Sequence, residues 1–249
     1  MKKLIAVVLA INVSISMVSA QKGQHSVLVG VDDYQLADSF ILSSAAKGKA
    51  MGVGYTFGRS SSVKKDHFAV GWSRSVMENI QFDVSTHNFT FRYAQAFSLL
   101  KNRGGSFNSF WGYSLQSAPG FIKATNKDQS RSSWNTTNNL SIYQSAEFIK
   151  GQNKWILDIH IPVMGLSSRP DETSSRNSTV NGSLYDSYSN LFVTSWLNQK
   201  AVSASLEFNT AWNNKFRFFA GARYQYLSSN EDYMYRNIVK GLYAGFSWH

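Results

Sequence analysis

Apolar and polar residues alternate at every second position through most of the chain. In the stretch AMGVGYTFG, large apolar side chains alternate with glycine, alanine and threonine, and the stretch GLYAGFSW near the C-terminus has the same pattern. Such a period of two puts successive side chains on opposite faces of a β-strand. We therefore predict an all-β chain of about ten strands, within a range of 8–12, with a short first strand near His25–Val31.

The segments between the predicted strands differ in length. Those after the even-numbered strands are Arg59–Lys65 and the short turns KNRGG, GQN and WNN, whereas most of the others are longer and polar, including Pro119–Thr137 and Ser167–Lys200. Short turns at one end, long loops at the other and an even strand number are typical of bacterial outer-membrane barrels. The pattern predicts a single closed antiparallel up-and-down transmembrane β-barrel over residues 21–249. The apolar segment Tyr188–Gln199 is a strand extension, a short helix or a plug.

The composition of the polar faces separates a membrane barrel from a soluble sheet. These faces carry mostly glycine, alanine, serine and asparagine, and charged residues make up only 16% of the chain, against about 25% in soluble domains. Aromatic residues lie on the apolar faces near predicted strand ends, as at Trp72, Trp155, Trp212 and Trp248. Rings in such positions form a girdle at the lipid–water interface. A soluble exported β-barrel or β-sandwich binding protein is the alternative.

The first twenty residues have the composition of a secretory signal peptide. Lys2 and Lys3 precede an apolar run, and Val18 and Ala20 occupy the −3 and −1 positions of a cleavage site. We expect the mature chain to begin at Gln21. No later run reaches the ~18 apolar residues of a transmembrane helix. We therefore expect export to the outer membrane of a Gram-negative cell.

Charge and residue usage limit the partners. Without the two lysines of the signal peptide, the formal net charge falls from +10 to +8. A basic exported surface suits anionic lipid head groups, and the chain has no basic-aromatic motif for nucleic acid. Cysteine is absent, and the five histidines lack the close spacing of metal ligands. We expect outer-membrane lipid as a partner, with no nucleic acid, no metal and no cofactor.

The closing segment NIVKGLYAGFSWH carries a family resemblance. Leu242, Ala244, Phe246 and Trp248 alternate up to a near-terminal aromatic residue, which His249 follows. With the leader and the alternating strands, this segment resembles the bacterial outer-membrane β-barrel superfamily. The resemblance implies that the barrel-assembly machinery recognises Phe246 and Trp248. Because a closed barrel has no free edge, we expect this last strand to pair with the first.

Charged residues on the polar faces define the candidate site, because these faces would point into the barrel. Three carboxylates and three arginines predict a salt-bridged interior, and a lumen that binds or conducts a small solute is the alternative. The predicted second, third and fifth strands present mainly small residues inward, which leaves room in an otherwise tight interior. The predicted lumen-facing residues are Arg92, Glu147, Asp158, His160, Glu207, Arg217, Arg223 and Gln225, together with His67.

Asp158 and His160 are the candidate catalytic residues, because a carboxylate two positions from a histidine on one face could orient it as a general base. Ser203 or Ser205 on the next predicted strand would be the nucleophile. The spacing is unspecific, and the chain contains no GxSxG motif. The sequence favours a non-enzymatic barrel with a structural, porin-like or solute-binding role, or one with a surface partner. The alternative is a barrel enzyme that acts on lipid, either a hydrolase or an acyltransferase.

Overall fold

The computed structural model describes residues 23–248, apart from 40, 62, 102–105, 129, 170–190, 196–197, 214 and 230–233. The predicted signal peptide and His249 lie outside the described residues. Among the described residues, no helix is both long and apolar enough to cross a membrane. The strands are β1 (Gln24–Asp38), β2 (Ala46–Ser60), β3 (Lys64–Glu78), β4 (Asp83–Lys101), β5 (Phe107–Thr125), β6 (Ser130–Lys150), β7 (Asn153–Ser168), β8 (Leu191–Ser195), β9 (Gln199–Ala211), β10 (Phe216–Ser229) and β11 (Tyr235–Trp248).

The strands form one closed antiparallel sheet. β1 and β11 are in register from His25 opposite Trp248 to Asp38 opposite Tyr235, so the first and last strands close the ring. β8 and β9 both pair with β7, at different heights, and together fill one position in the ring. The prediction of a ten-stranded up-and-down barrel is confirmed.

The two ends of the barrel differ in their connections. The links β2–β3, β4–β5, β6–β7 and β9–β10 lie at one end, together with the start of β1 and the end of β11. We call this the short-turn end, and the opposite end the long-loop end. Residues 170–190, which follow β7 in the sequence, lie outside the described residues.

The first strand is longer than predicted. It covers Gln24–Asp38 rather than His25–Val31, because the alternation continues after Val31 with polar side chains that the interior accepts. Asp32 points inward and is 3% exposed, whereas Asp33 points outward and pairs with Lys49 on β2. β1 therefore continues through Asp32 and Asp33 instead of ending before them.

The prediction of a long loop over Pro119–Thr137 is wrong. These residues are the ends of β5 and β6, paired from Ala118 opposite Thr137 to Thr125 opposite Ser130. Serine, threonine and asparagine suggested a loop, but polar side chains are compatible with a strand that leaves the lipid and extends the sheet. Pro119 interrupts the β4–β5 ladder locally, because proline has no N–H to donate. The ladder has no pairs between Asn88–Gly120 and Phe91–Ser117.

The apolar segment before β9 is a strand extension in its described part. β8 pairs with the end of β7, from Leu191 opposite Ser168 to Ser195 opposite Met164. β7 itself contains a bulge, because the register against β6 shifts between Leu140 and Ser141. This bulge returns Met164 to the outer face, where its side chain is exposed.

The outer face carries the apolar rows that the alternation predicts. Met51 on β2 is 69% exposed and Leu242 on β11 is 70% exposed, although both are strongly apolar. Trp155 near the start of β7 and Trp248 at the end of β11 lie at the short-turn end, as a girdle requires. Trp72 is an exception, since it lies within β3, away from both strand ends.

The long-loop end of the interior is filled by a buried apolar cluster, the apolar cap. Beside it, Nη2 of Arg169, just after β7, lies 2.9 Å from Oδ1 of Asp38 at the end of β1. The guanidinium of Arg169 also lies over the ring of Tyr235 at 5.0 Å. Because several strands separate β1 from β7 in both directions around the ring, these contacts cross the interior. The cap consists of Tyr34, Leu36, Ile41, Leu42, Ala46, Ala50, Met77, Phe82, Val84, Ile122, Ala124, Tyr235 and Val239, each at most 6% exposed.

Candidate functional site

A cavity of about 610 Å³ occupies the barrel interior below the apolar cap. Its lining reaches Gly151 and Gln152 in the β6–β7 turn, at the short-turn end. In the other direction it ends among Tyr34, Tyr235 and Val239, which belong to the cap. The structure places all of the predicted lumen-facing residues in this lining: His67, Arg92, Glu147, Asp158, His160, Glu207, Arg217, Arg223 and Gln225.

Lys65 is the centre of the charged network near the short-turn end. Its Nζ lies 3.1 Å from Oε1 of Glu147 and 3.6 Å from Oδ1 of Asp158. Lys154 contacts the second oxygen of Glu147 at 2.9 Å. The predicted salt-bridged interior exists, but these two acids pair with lysines rather than with arginines. Both lysines lie at the starts of strands, next to turns. The sequence alone does not indicate that their side chains point inward, because this depends on where each strand begins.

The arginines have different partners. Arg223 binds Asp32 with two atoms, Nε to Oδ1 at 2.8 Å and Nη2 to Oδ2 at 2.6 Å. Arg92 donates from Nε and Nη2 to the single atom Oε1 of Gln116, at 3.1 and 2.9 Å. The partner of Arg92 is therefore a neutral amide, whereas the partner of Arg223 is a carboxylate.

The candidate catalytic residues Asp158 and His160 have separate hydrogen-bond partners. Nδ1 of His160 lies 2.8 Å from Oγ of Ser114 on β5, and the imidazole stacks on the ring of Tyr143 with centroids 4.6 Å apart. Asp158 accepts a hydrogen bond from the Tyr143 hydroxyl at 2.9 Å. In the described part of the chain, no hydrogen bond joins His160 to Asp158. Ser203, the predicted nucleophile, faces His160 across the β7–β9 pair without a hydrogen bond to it there.

Small residues make room on one wall of the cavity. Gly52, Gly54 and Gly71 on β2 and β3 all belong to the lining. A Cβ atom built at Gly71 would meet nothing within 4 Å except the backbone oxygen of Val53, at 3.6 Å. The space beside β3 is therefore open. Over the described residues, no group of three or more histidine, aspartate, glutamate or cysteine side chains could hold a metal ion.

Comparison with known proteins identifies the fold. No protein-family model and no curated protein matches the chain. Among solved structures, the outer-membrane protease OmpT from Escherichia coli superposes with a TM-score of 0.64 at 9% identity, over 94% of this chain and 99% of that chain. The chain has the fold of a bacterial outer-membrane β-barrel. This confirms the predicted resemblance at the level of the fold alone.

Other outer-membrane barrels match with lower scores. The translocator domain of the autotransporter NalP from Neisseria meningitidis gives a TM-score of 0.47 at 10% identity, over 100% of this chain and 95% of that chain. Neisserial surface protein A gives 0.40 at 12% identity, over 91% and 99%.

The sequence did not indicate several residues that organise the lumen. Asp32 lay beyond the predicted end of the first strand, and Lys65 lay in a predicted turn. Ser114 and Gln116 were visible only as small or polar members of the inward face of β5. A strict count of alternate positions from the outward aromatic residues would have placed all four inside the barrel.

Proposed function

We propose that this outer-membrane barrel binds a small solute in its lumen and does not act as an open channel. The observation that carries the proposal is the shape of the interior. The cavity opens toward the short-turn end, and the apolar cap with the buried Asp38–Arg169 pair fills the opposite end. A path for water and ions through the barrel would have to cross this buried apolar layer.

The proposed location is the outer membrane, with the short turns in the periplasm. Support comes from the fold and from the exposed apolar rows, because outer-membrane barrels place short turns on the periplasmic side. The cavity would then take its solute from the periplasm. The charged and polar lining suits a polar solute. An apolar solute would remove water from the ion pairs around Lys65 without replacing its hydrogen bonds.

A lipid-modifying enzyme is less well supported. His160 is held between Ser114 and Tyr143 deep in the lumen, where a lipid acyl chain on the outer face would not reach it.

The conduction part of the proposal is tested in planar lipid bilayers. The purified barrel is expected to produce no steady ionic current. A double variant of the cap, Leu36→Gly with Met77→Gly, removes two side chains that are at most 1% exposed, and it is expected to produce current steps. A steady current from the unmodified protein would overturn the blind cavity.

Orientation and access are tested with single cysteines, because the chain has none of its own. Gln152→Cys in the β6–β7 turn is expected to react with a large maleimide only after the outer membrane is permeabilised. Asp128→Cys in the β5–β6 turn is expected to react in intact cells. Thr56→Cys, in the cavity lining, is expected to react with a small charged thiol reagent in detergent, whereas Ala46→Cys in the cap is not.

A further inference from the structure

The basic side chains of the lumen are not neutralised equally. Five of them line the cavity from inward-facing positions, and Lys65, Lys154 and Arg223 each have a carboxylate oxygen within 4.0 Å. Arg92 and Arg217 have none among the described residues. Arg217 lies in the second position of β10, at the mouth of the cavity, where water screens its charge. Arg92 lies in the middle of β4, deep in the lumen.

The guanidinium of Arg92 has a fixed direction and spare donors. Oε1 of Gln116 accepts two of its five N–H groups. The remaining three have no acceptor in the described part of the barrel. Deep in the lumen, the half-buried Arg92 has no carboxylate partner among the described residues, whereas Arg223 has the Asp32 carboxylate as its counter-charge. Nearby Asp158 is already engaged by Lys65 and by the Tyr143 hydroxyl.

Space for a ligand lies next to this guanidinium. In the β3–β4 pair, Arg92 stands opposite Ala69, and the next inward position on β3 is Gly71. A Cβ atom at Gly71 would have only one neighbour within 4 Å, so the wall beside Arg92 is open. Gly52 and Gly54 on β2 also line the cavity, but a Cβ atom there would already lie 3.1–3.2 Å from Ser73 or Leu28. The open space is therefore the one at Gly71, in the same part of the cavity as the spare donors of Arg92.

We propose that Arg92 binds an oxyanion, either the carboxylate or the phosphate group of a small solute. A guanidinium presents a planar pair of N–H groups that matches two oxygens of such a group. Gln116 holds the guanidinium plane, and the open space at Gly71 leaves room for the rest of the solute. At the mouth, Arg217, which has no carboxylate within 4.0 Å among the described residues, favours the entry of anions. This inference rests on the proposed function, because it specifies what the lumen takes up.

The test is isothermal titration calorimetry on the folded barrel in detergent, with inorganic phosphate and succinate as separate probes. We expect at least one of them to bind with one site per barrel, and the better probe tells the phosphate group from the carboxylate. Arg92→Gln is expected to weaken binding about tenfold or more, which corresponds to about 1.4 kcal/mol. Arg92→Lys keeps the charge without the planar fork and is expected to bind with an intermediate affinity.

Two further variants keep the test decisive. Gly71→Leu leaves Arg92 intact but fills the space beside it, so binding is expected to be lost. Arg74→Gln removes the same charge from the exposed outer face of β3 and is expected to leave binding unchanged. Folding of each variant is checked by its heat-dependent shift in gel mobility.

Failure of this inference is distinguishable from failure of the proposed function. If Thr56→Cys reacts and the barrel does not conduct, but neither probe binds, the lumen is a blind cavity for another class of solute and the oxyanion site is wrong. Equal binding by the unmodified protein and by a folded Arg92→Gln variant would also overturn it. If the barrel conducts instead, the proposed function itself fails.

Discussion

Arg223 on β10 and Asp32 on β1 form a bidentate ion pair that bridges over β11. Gly241 of β11 stands in register with both residues. It has no side chain, and a Cβ atom at this position would lie against the carboxylate of Asp32. The pair therefore links the strands on either side of β11, close to the seam where β1 and β11 close the barrel.

Loss of this ion pair is expected to destabilise the barrel. Asp32→Ala leaves the Arg223 guanidinium without its carboxylate in a site where Asp32 is 3% exposed, which costs about 3–5 kcal/mol. The matched control is Asp33→Ala on the next residue, whose ion pair with Lys49 is 69% and 72% exposed on the two sides and is worth at most about 1 kcal/mol. Denaturant midpoints measured in detergent compare the two, and equal effects would contradict the role of the seam pair.

A side chain at position 241 is expected to break the same contact from the other side. Gly241→Ala pushes a methyl group against the Asp32 carboxylate, so we expect a clear loss of stability. Gly58→Ala on β2 is the control, because a Cβ atom there would meet nothing closer than 3.8 Å. The ratio of folded to unfolded bands on an unheated gel measures both. A Gly241→Ala barrel as stable as Gly58→Ala would show that Arg223 and Asp32 can separate without loss.

Phe91 is expected to face lipid near the middle of the bilayer. Its side chain is 48% exposed on the outer face of β4, so Phe91→Arg places a charge in hydrocarbon at a cost of about 2–4 kcal/mol. Phe91→Leu keeps the position apolar and should fold normally. Folding yield into lipid vesicles is the measurement, and Ile159→Arg on β7 is a second test of the same assignment. Normal folding of both arginine variants would make the assignment of the outer face wrong.

Lys65 is expected to contribute more to stability than its sequence neighbour. Lys65→Met removes the cation beside Asp158 and one of the two lysines beside Glu147, which we expect to cost about 3–5 kcal/mol. Lys64→Met removes an outward lysine whose pair with Asp66 is partly exposed and should cost at most about 1 kcal/mol. Denaturant midpoints distinguish the two. If both variants unfold at the same concentration, the lumen network is not a stabilising unit.

The C-terminal aromatic residues are expected to act in assembly rather than in the stability of the finished barrel. The double variant Phe246→Ala with Trp248→Ala should reduce the folded protein recovered from outer membranes several-fold, since the assembly machinery would lose its signal. Trp212→Ala at the same end of the barrel is the control. Refolding of the purified double variant in detergent should remain efficient. If refolding fails as well, the two rings are structural and the assembly role is unsupported.

The sequence predicted the faces of the strands more accurately than their ends. Rows of alternate apolar side chains such as Met51 and Val53 indicate the lipid-facing side of a strand, because charged residues are unfavourable in hydrocarbon. The ends of β5 and β6 gave no such signal, since outside the lipid a strand can carry serine and asparagine on both faces. Asp32 was missed for the same reason.

The long-range contacts of the interior could not be predicted. Lys65 and Glu147 are 82 positions apart in the sequence, and nothing local selects that pair. The apolar cap joins Leu36 on β1 with Phe82 between β3 and β4 and Ile122 on β5. Nothing in the local sequence distinguishes these residues from other apolar residues. They meet only because closure of the barrel brings them to the same level along its axis.

The apolar cap also determines how a bound molecule would leave. In the blind lumen that we propose, a solute would return along the path by which it entered, and the next could follow only after it has gone. Occupancy would then depend on residence time rather than on a gradient across the bilayer. A barrel with that role would store its ligand or present it to one compartment, and the quantity to measure would be a dissociation rate instead of a flux.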